Sequence, residues 1–159
     1  MTYKSKAYED RTDLEKIQSN WKKLSGLYQR KEWSSSVVRA ATAAEIAANL
    51  VVREELENQK GIDTPFVNHL MIWANGIQGK YQKLIMASVK GKPQEERFKA
   101  LSNKIGKVNK RRNQIVHGGH FDNSDTAHEV IMEAKELIQV LVGYYTPDFE
   151  LDDIPLIEE

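Results

Sequence analysis

The chain contains no cysteine, which excludes a disulfide framework, thiolate chemistry and a cysteine-ligated zinc site. It also has no net charge, because 23 lysine and arginine residues are balanced by 23 aspartate and glutamate residues. Whole-molecule charge therefore does not point to nucleic acid as a partner. With 159 residues, the chain is long enough to form one domain of ordinary size with a real core.

Long uninterrupted apolar runs are missing, and the residues that follow Met1 do not form a signal-peptide core. We therefore expect a soluble cytoplasmic protein with no membrane partner. Strand-like alternation of useful length is also missing from the sequence, as is any internal repeat. These absences predict a fold built from helices alone.

Apolar residues recur every three to four positions in five segments, which predicts an all-α, single-domain, up-and-down bundle of about five helices. The domain is expected to cover residues 12–146, after a flexible N-terminus (1–11) and before an acidic C-terminal tail (147–159). The predicted helices run from Thr12 or Asp13 to about Arg30, from Ser34–Ser36 to about Gln59, from Pro65 to about Val89, from about Gln94 to Val116, and from Ser124 or Asp125 to just before Pro147.

The third helix is predicted as one unit although Asn75-Gly76, which is expected to kink it, lies in its middle. Its inward stripe is predicted to include Phe66, Leu70 and Trp73. The three tryptophans are interpreted as core or interface aromatics, rather than as platforms on which bases stack.

The fourth helix leads into residues 110–120, with the sequence KRRNQIVHGGH. An apolar stripe runs along this helix through Val108 and Ile115, and Arg112 occupies the stripe position between them. A cation at such a position is costly to bury unless an anionic group meets it. Arg112 is therefore a candidate functional residue.

Two further polar side chains lie at the end of the same helix. Asn113 and His117 are four residues apart and share one helix face. Gly118-Gly119 is expected to end the helix and to leave a loop whose backbone can be approached closely. A cation, an amide and an imidazole are thus predicted to converge at one helix end.

The sequence Arg-Asn-Gln-Ile-Val-His at residues 112–117 resembles the R-x4-6-H signature of HEPN domains, including the polar residue after the arginine. The long helix before it, the Gly-rich loop after it and the closing amphipathic helix are similar to that family's plan, over roughly residues 13–145. The resemblance implies metal-independent, cofactor-free cleavage of RNA by Arg112, His117 and Asn113 at the cleft of a homodimer. It also implies a host-defence or toxin role, with a neutralising antitoxin or a nucleotidyltransferase as a further partner.

The residue types suit that chemistry. Attack of an RNA 2′-hydroxyl on the adjacent phosphorus needs a base, an acid and a cation for the charged phosphorane. His117 exchanges a proton near neutral pH, and Arg112 offers a planar fork to two phosphate oxygens. Asn113 would hydrogen-bond phosphate or fix the imidazole tautomer. One histidine does not easily serve as both base and acid, and the implied homodimer would supply a second.

Glu45 and His120 are predicted to support the site. Glu45 has two interpretations: an anion that orients Arg112 or His117, as an acidic residue does in some family members, or a charge on the solvated stripe of the second helix. His120 is expected to make a secondary contact with substrate. With His117 and Asp122 it would also resemble a metal site, but two histidines on a Gly-Gly loop are weak evidence, and no metal is predicted.

Charge is unevenly distributed along the chain. Residues 97–112 contain seven lysines and arginines and no acid, whereas residues 148–159 contain six acids and no base. Next to the motif, the basic run is predicted to follow an RNA backbone and to bind it in a salt-dependent way. The alternative is an ordinary solvated face. The predicted RNA-binding residues are Lys104, Lys107, Lys110 and Arg111.

A second functional class stays open beside the ribonuclease. In that interpretation the chain is a non-catalytic helical module that binds RNA, a nucleotide or a protein. The presence of both Arg112 and His117 favours the enzyme, because a degenerate member of the family should have lost one of them.

Overall fold

The computed structural model describes residues 12–119 and 122–158, and within them all regular secondary structure is helical. The predicted all-α bundle is therefore confirmed, whereas the prediction for residues 1–11 lies outside the described residues. Two π-helical segments, Glu54–Gln59 and Tyr81–Ile85, continue the helices that precede them. The α-helices are α1 (Asp13–Gln29), α2 (Trp33–Arg53), α3 (Thr64–Trp73), α4 (Gly76–Lys80), α5 (Met86–Ser88), α6 (Glu95–Lys99), α7 (Ser102–Gly118) and α8 (Ser124–Tyr145).

The central element is α2, which packs mainly against α1 and α8 and also meets α4 and α7. Its fully buried alanines, among them Ala40, Ala44 and Ala47, let these neighbours approach closely. Together with its π-helical extension, α2 is long and apolar enough to span a bilayer by length and composition, and 67% of its most apolar window is buried inside the bundle. Apolar residues on several sides are expected of a core helix.

The helix caps follow the sequence predictions in part. Thr12, one of the two predicted caps, caps α1, and the structure adds a reciprocal capping box with Glu15. α8 is capped by Asn123 instead of the predicted Ser124 or Asp125. The predicted cap at Ser34–Ser36 is wrong, because α2 already begins at Trp33 and the Ser36 hydroxyl donates to the Trp33 carbonyl oxygen at 2.6 Å.

The prediction of one helix from Pro65 to Val89 is wrong. The chain leaves the helix at Ala74 and resumes at Gly76, whose φ of +75° is accessible to glycine without steric cost. Asn-Gly therefore acts as a turn and not as a kink. The break rotates α3, so that Val67 is buried while Phe66 and Trp73, which were predicted to face inward, are exposed.

The predicted helix from Gln94 to Val116 is also divided. α6 ends at Lys99, and α7 begins at Ser102 after a short turn. The Tyr81 hydroxyl donates to the carbonyl oxygens of Phe98 and Lys99, at 2.8 and 3.2 Å, so these carbonyls have a partner from outside their own helix. Arg112 and His117 still lie on one uninterrupted helix, α7.

The acidic tail packs on the domain. Leu151 and Ile154 are buried, and the Trp21 indole donates to the Asp152 carbonyl oxygen at 2.9 Å. A ring nitrogen of His128 lies 2.8 Å from the Ile154 carbonyl oxygen. The tail therefore covers α1 and α8, on the side where the bundle would otherwise expose apolar residues.

The buried carboxylate of Glu55 joins its own π-helical segment to two others, the loop before α6 and the end of α8. Glu55 accepts hydrogen bonds from the Tyr145 hydroxyl at 2.6 Å, the Gln94 amide at 2.7 Å and the Lys92 ammonium at 2.5 Å. Burial by itself raises the pKa of Glu55, but these donors outweigh that effect and hold the pKa below its ordinary value. Burial and the neighbouring carboxylate raise the pKa of Tyr145, which keeps its hydroxyl a donor.

We expect Glu55→Gln to lower the free energy of unfolding at pH 7 by about 2–4 kcal/mol, because an amide cannot accept three donors and the Lys92 ammonium loses its anion. The wild-type contribution of Glu55 is complete above its ordinary pKa of 4.5 and is lost as the pH falls through the lower folded-state pKa. Urea unfolding below pH 4.5 should therefore show a steeper loss of stability in the wild type than in the variant. Glu54→Gln is the matched control, and equal slopes in wild type and Glu55→Gln would contradict the prediction.

Candidate functional site

The predicted site residues on α7 lie on two different faces of the helix. Arg112 is half-buried, whereas Asn113 and His117 are exposed. Five residues along an α-helix correspond to about 140° of rotation and about 7.5 Å of rise. Arg112 and His117 therefore leave α7 in different directions, whereas the Asn113 side chain meets Arg112 and accepts a hydrogen bond from it.

Arg112 lines a cleft of about 130 Å³ between α2, α7 and the break that precedes α4. Its polar lining residues are Thr42, Glu45, Asn75, Asn109 and Arg112. The fold thus brings Arg112 and Glu45, two of the predicted site residues, to one cleft. Asn109 was not predicted, although its position three residues before Arg112 on the same helix face was a usable signal.

Glu45 binds a partner that neither of its two interpretations included. Its carboxylate lies 3.0 Å from the ammonium of Lys80, whose side chain is only 6% exposed. The side chain of Glu45 is 38% exposed and lines the cleft. Lys80 lies three residues after Ile77 and four before Leu84, so it stands on an apolar stripe in the same way as Arg112, and that spacing was the missed signal.

The guanidinium of Arg112 has no anionic partner among the residues that the structure describes. Among residues 12–119 and 122–158, no carboxylate lies within 4 Å of it, and its Nη1 donates to the Asn113 side-chain oxygen at 3.2 Å. Asn109 donates to Gln78 at 3.0 Å across the same cleft. A half-buried cation with unused donors beside amide groups is suited to bind an anion that enters from solution.

Comparisons with protein-family models, with curated proteins and with solved structures found no match to this chain. The resemblance to HEPN domains therefore rests on the residues of the motif and on the order of the helices.

The end of α7 is fixed on one side. The helix ends in Gly119 with φ of +64°, as the Gly-Gly pair predicted. Arg111 forms an ion pair with the buried carboxylate of Asp122, whose backbone N–H donates to the Ser34 hydroxyl at 2.9 Å. Arg111, a predicted RNA contact, is thus part of the connection between α7 and the start of α2. His120 lies outside the described residues.

Two lysines of the basic run on α7 are paired with carboxylates of α8. Lys104 lies 2.8 Å from Glu133 and 3.0 Å from Glu136, and Lys107 pairs with Glu129. Hydrogen bonds to these carboxylates raise the pKa of both lysines. Lys104 and Lys107, two of the predicted RNA-binding residues, therefore already form ion pairs with carboxylates of the same chain.

Lys110 is exposed, and no carboxylate of the described part of the chain forms an ion pair with it. Together with Arg112 it provides the positive charge of α7 that is not already paired. In the same described part, no group of three or more histidine or acidic side chains is arranged to hold a metal ion.

We expect the free energy of unfolding to fall by different amounts when the Glu45–Lys80 ion pair is broken from one side or from the other. Glu45→Gln should lower the free energy of unfolding by about 1–3 kcal/mol, because it leaves the buried Lys80 ammonium without its anion. Lys80→Met should cost less than about 1 kcal/mol, because the partly exposed Glu45 carboxylate can be hydrated instead. Urea unfolding measures both, and Glu32→Gln in the exposed pair with Arg30 is the control. Equal losses in the two variants would show that Lys80 is not the desolvated partner.

Proposed function

We propose that this chain is a metal-independent endoribonuclease of HEPN type that cleaves RNA with Arg112 and His117. The observation that carries the proposal is the half-buried guanidinium of Arg112, which faces a polar cleft and has no carboxylate of the described residues within 4 Å. Because the site is partly desolvated, a phosphate there interacts with this cation more strongly than it would with a solvated one. Electrostatic stabilisation of this kind often contributes more to an enzyme's rate enhancement than any other single effect.

The reaction that these residues support is an internal transesterification. A base removes the proton of an RNA 2′-hydroxyl, the 2′-oxygen forms a bond to phosphorus, and the bond from phosphorus to the 5′-oxygen breaks. An acid protonates the departing 5′-oxygen, which leaves a 2′,3′-cyclic phosphate and a free 5′-hydroxyl. Arg112 stabilises the phosphorane, and His117 supplies or accepts one of the two protons.

The motif of one chain supplies a single imidazole, His117, whereas the reaction needs both a base and an acid. We therefore include the homodimer in the proposal. A second copy supplies the second imidazole, which is the second acid–base group that the reaction needs. A toxin or host-defence role, with a neutralising protein partner, is the biological setting that the resemblance implies.

A non-catalytic binding module is the second candidate, and one observation favours it. Lys104, Lys107 and Arg111 are already engaged by carboxylates, which reduces the cationic surface available to a long RNA. In that case the cleft at Arg112 would bind a small anionic ligand or the phosphate of a nucleotide, and His117 would have no catalytic role.

Purified protein incubated with a mixed RNA pool in EDTA should produce 2′,3′-cyclic phosphate ends. We expect Arg112→Ala and His117→Ala each to lower the cleavage rate at least about 100-fold, which is the effect of removing one transition-state donor or acid–base group. Val116→Ala, at an exposed position next to His117, is the matched control and should cleave normally.

The outcomes separate the two candidates. Cleavage that requires added Mg²⁺, or that survives the loss of His117, contradicts the ribonuclease mechanism. RNA that stays intact while it binds in an Arg112-dependent way supports the binding module.

A further inference from the structure

A second cavity adjoins the cleft at Arg112. It measures about 480 Å³, contains three asparagines in its lining and is referred to as the amide cavity; its lining residues are Asn49, Asn68, Met71, Ile72, Asn75 and Lys80. Asn75 also lines the cleft of Arg112. Lys80, in the amide cavity, forms an ion pair with Glu45, which lines the cleft. The two spaces are therefore neighbours that share Asn75 and are linked by this ion pair.

One face of α2 contributes to both spaces. Thr42, Glu45 and Asn49 lie three and four residues apart and so share that face. The first two line the cleft, and Asn49 lines the amide cavity. One helical turn, a rise of about 6 Å, separates Glu45 from Asn49. The polar residues of this central helix thus follow the two spaces in order, from the cleft to the amide cavity.

The side-chain oxygen of Asn49 is buried and accepts no hydrogen bond from the described residues. Most buried polar atoms in folded proteins have a partner, because a buried acceptor without a donor is unfavourable. The amide is attached through a torsion with broad energy minima, so a rotation about the Cβ–Cγ bond turns its oxygen toward the cavity at little cost. A ligand in the amide cavity that carries an N–H donor would therefore satisfy Asn49.

The lining of the amide cavity indicates the class of ligand. Its one charged lining residue is Lys80, which is already paired with Glu45, so a phosphate or a metal ion would find no unpaired charge there. Met71 and Ile72 supply an apolar wall, and the asparagines supply both donors and acceptors. A ligand with flat apolar faces and a hydrogen-bonding edge matches this combination, and a nucleobase is such a ligand.

We propose that the amide cavity binds an adenine or cytosine base of the RNA whose phosphate lies at Arg112. Both bases carry an amino group beside a ring nitrogen that accepts, so the Asn49 amide can pair with the two atoms at once. Uracil has no amino group and does not form this pair. The base must leave its stack to enter the cavity, so the substrate is single-stranded at this nucleotide. In placing the phosphate at Arg112, the inference rests on the proposed function.

Titration of the full chain with nucleoside monophosphates, followed by NMR chemical shifts, tests the proposal. The probes are adenylate, cytidylate and uridylate, each with its phosphate on the 3′- or the 5′-oxygen, and ribose 5-phosphate as the probe without a base. Adenylate or cytidylate, in one of these two series, should bind at least about 10-fold more tightly than uridylate and ribose 5-phosphate, which is the discrimination expected of one amide pair.

Substitutions in the amide cavity should remove this preference. Asn49→Leu should abolish it and leave the binding of ribose 5-phosphate unchanged, and its stability in urea should not fall, because it removes an acceptor that has no donor. Ile72→Ser, at a position 77% exposed, should weaken the nucleotides relative to ribose 5-phosphate without affecting the fold. Asn103→Leu, at an exposed asparagine that lines neither space, is the matched control and should bind like the wild type.

Uridylate that binds as tightly as adenylate and cytidylate overturns the proposal, as does a preference that survives Asn49→Leu. The absence of nucleotide binding at about 10 mM also overturns it. The titration does not depend on RNA cleavage. A preference lost in Asn49→Leu, in a protein that leaves RNA intact, supports this inference and removes the proposed ribonuclease, whereas a protein that cleaves RNA but shows no such preference does the reverse.

Discussion

The turn at Asn75-Gly76 is the constraint on which both the cleft at Arg112 and the orientation of α3 depend. The helix that begins at Thr64 ends because Ala74 and Asn75 leave helical geometry, with ψ of 63° and 144°, and Gly76 completes the turn with a positive φ. Asn75 is thereby left beside Arg112 in the lining of the cleft. The same turn allows α4 to start in a new direction with Lys80 buried against α2. A continuous helix through this region would keep the face of α3 in register with that of α4.

Two cations stand on apolar stripes in this bundle, and the fold treats them differently. Lys80 is a compact charge that is almost fully buried, so its desolvation must be compensated, and Glu45 does this. Arg112 is only half-buried and its guanidinium is more weakly hydrated, so it is stable without a carboxylate. Glu45, a carboxylate in the lining of the cleft, is thereby already paired with Lys80. Arg112 therefore lines the cleft as a cation whose guanidinium N–H groups, apart from the Nη1 donor to Asn113, have no acceptor among the described residues.

Sequence periodicity predicted those parts of the structure that depend on neighbouring residues. The helical bundle, the helix cap at Thr12 and the end of α7 at Gly119 all follow from residues within one or two turns of each other. The inward placement of Phe66 and Trp73 was wrong, since Asn75-Gly76 changed the rotation of α3. Glu45 with Lys80, and Glu55 with Lys92 and Tyr145, join residues 35 to 90 positions apart, and periodicity carries no information about such pairs.

The ion pairs between α7 and α8 bear on how an RNA would approach the cleft. Exposed pairs such as Lys107 with Glu129 contribute at most about 1 kcal/mol, so a phosphate can replace the carboxylate. The released glutamate nevertheless stays close and repels the RNA, which offsets much of the gain. Affinity would then come mainly from Lys110 and Arg112, the cations that no carboxylate of the described chain engages. The homodimer that we propose would double the number of these cations on one assembly, so two weakly charged clefts would together bind a strand that one cleft would hold poorly.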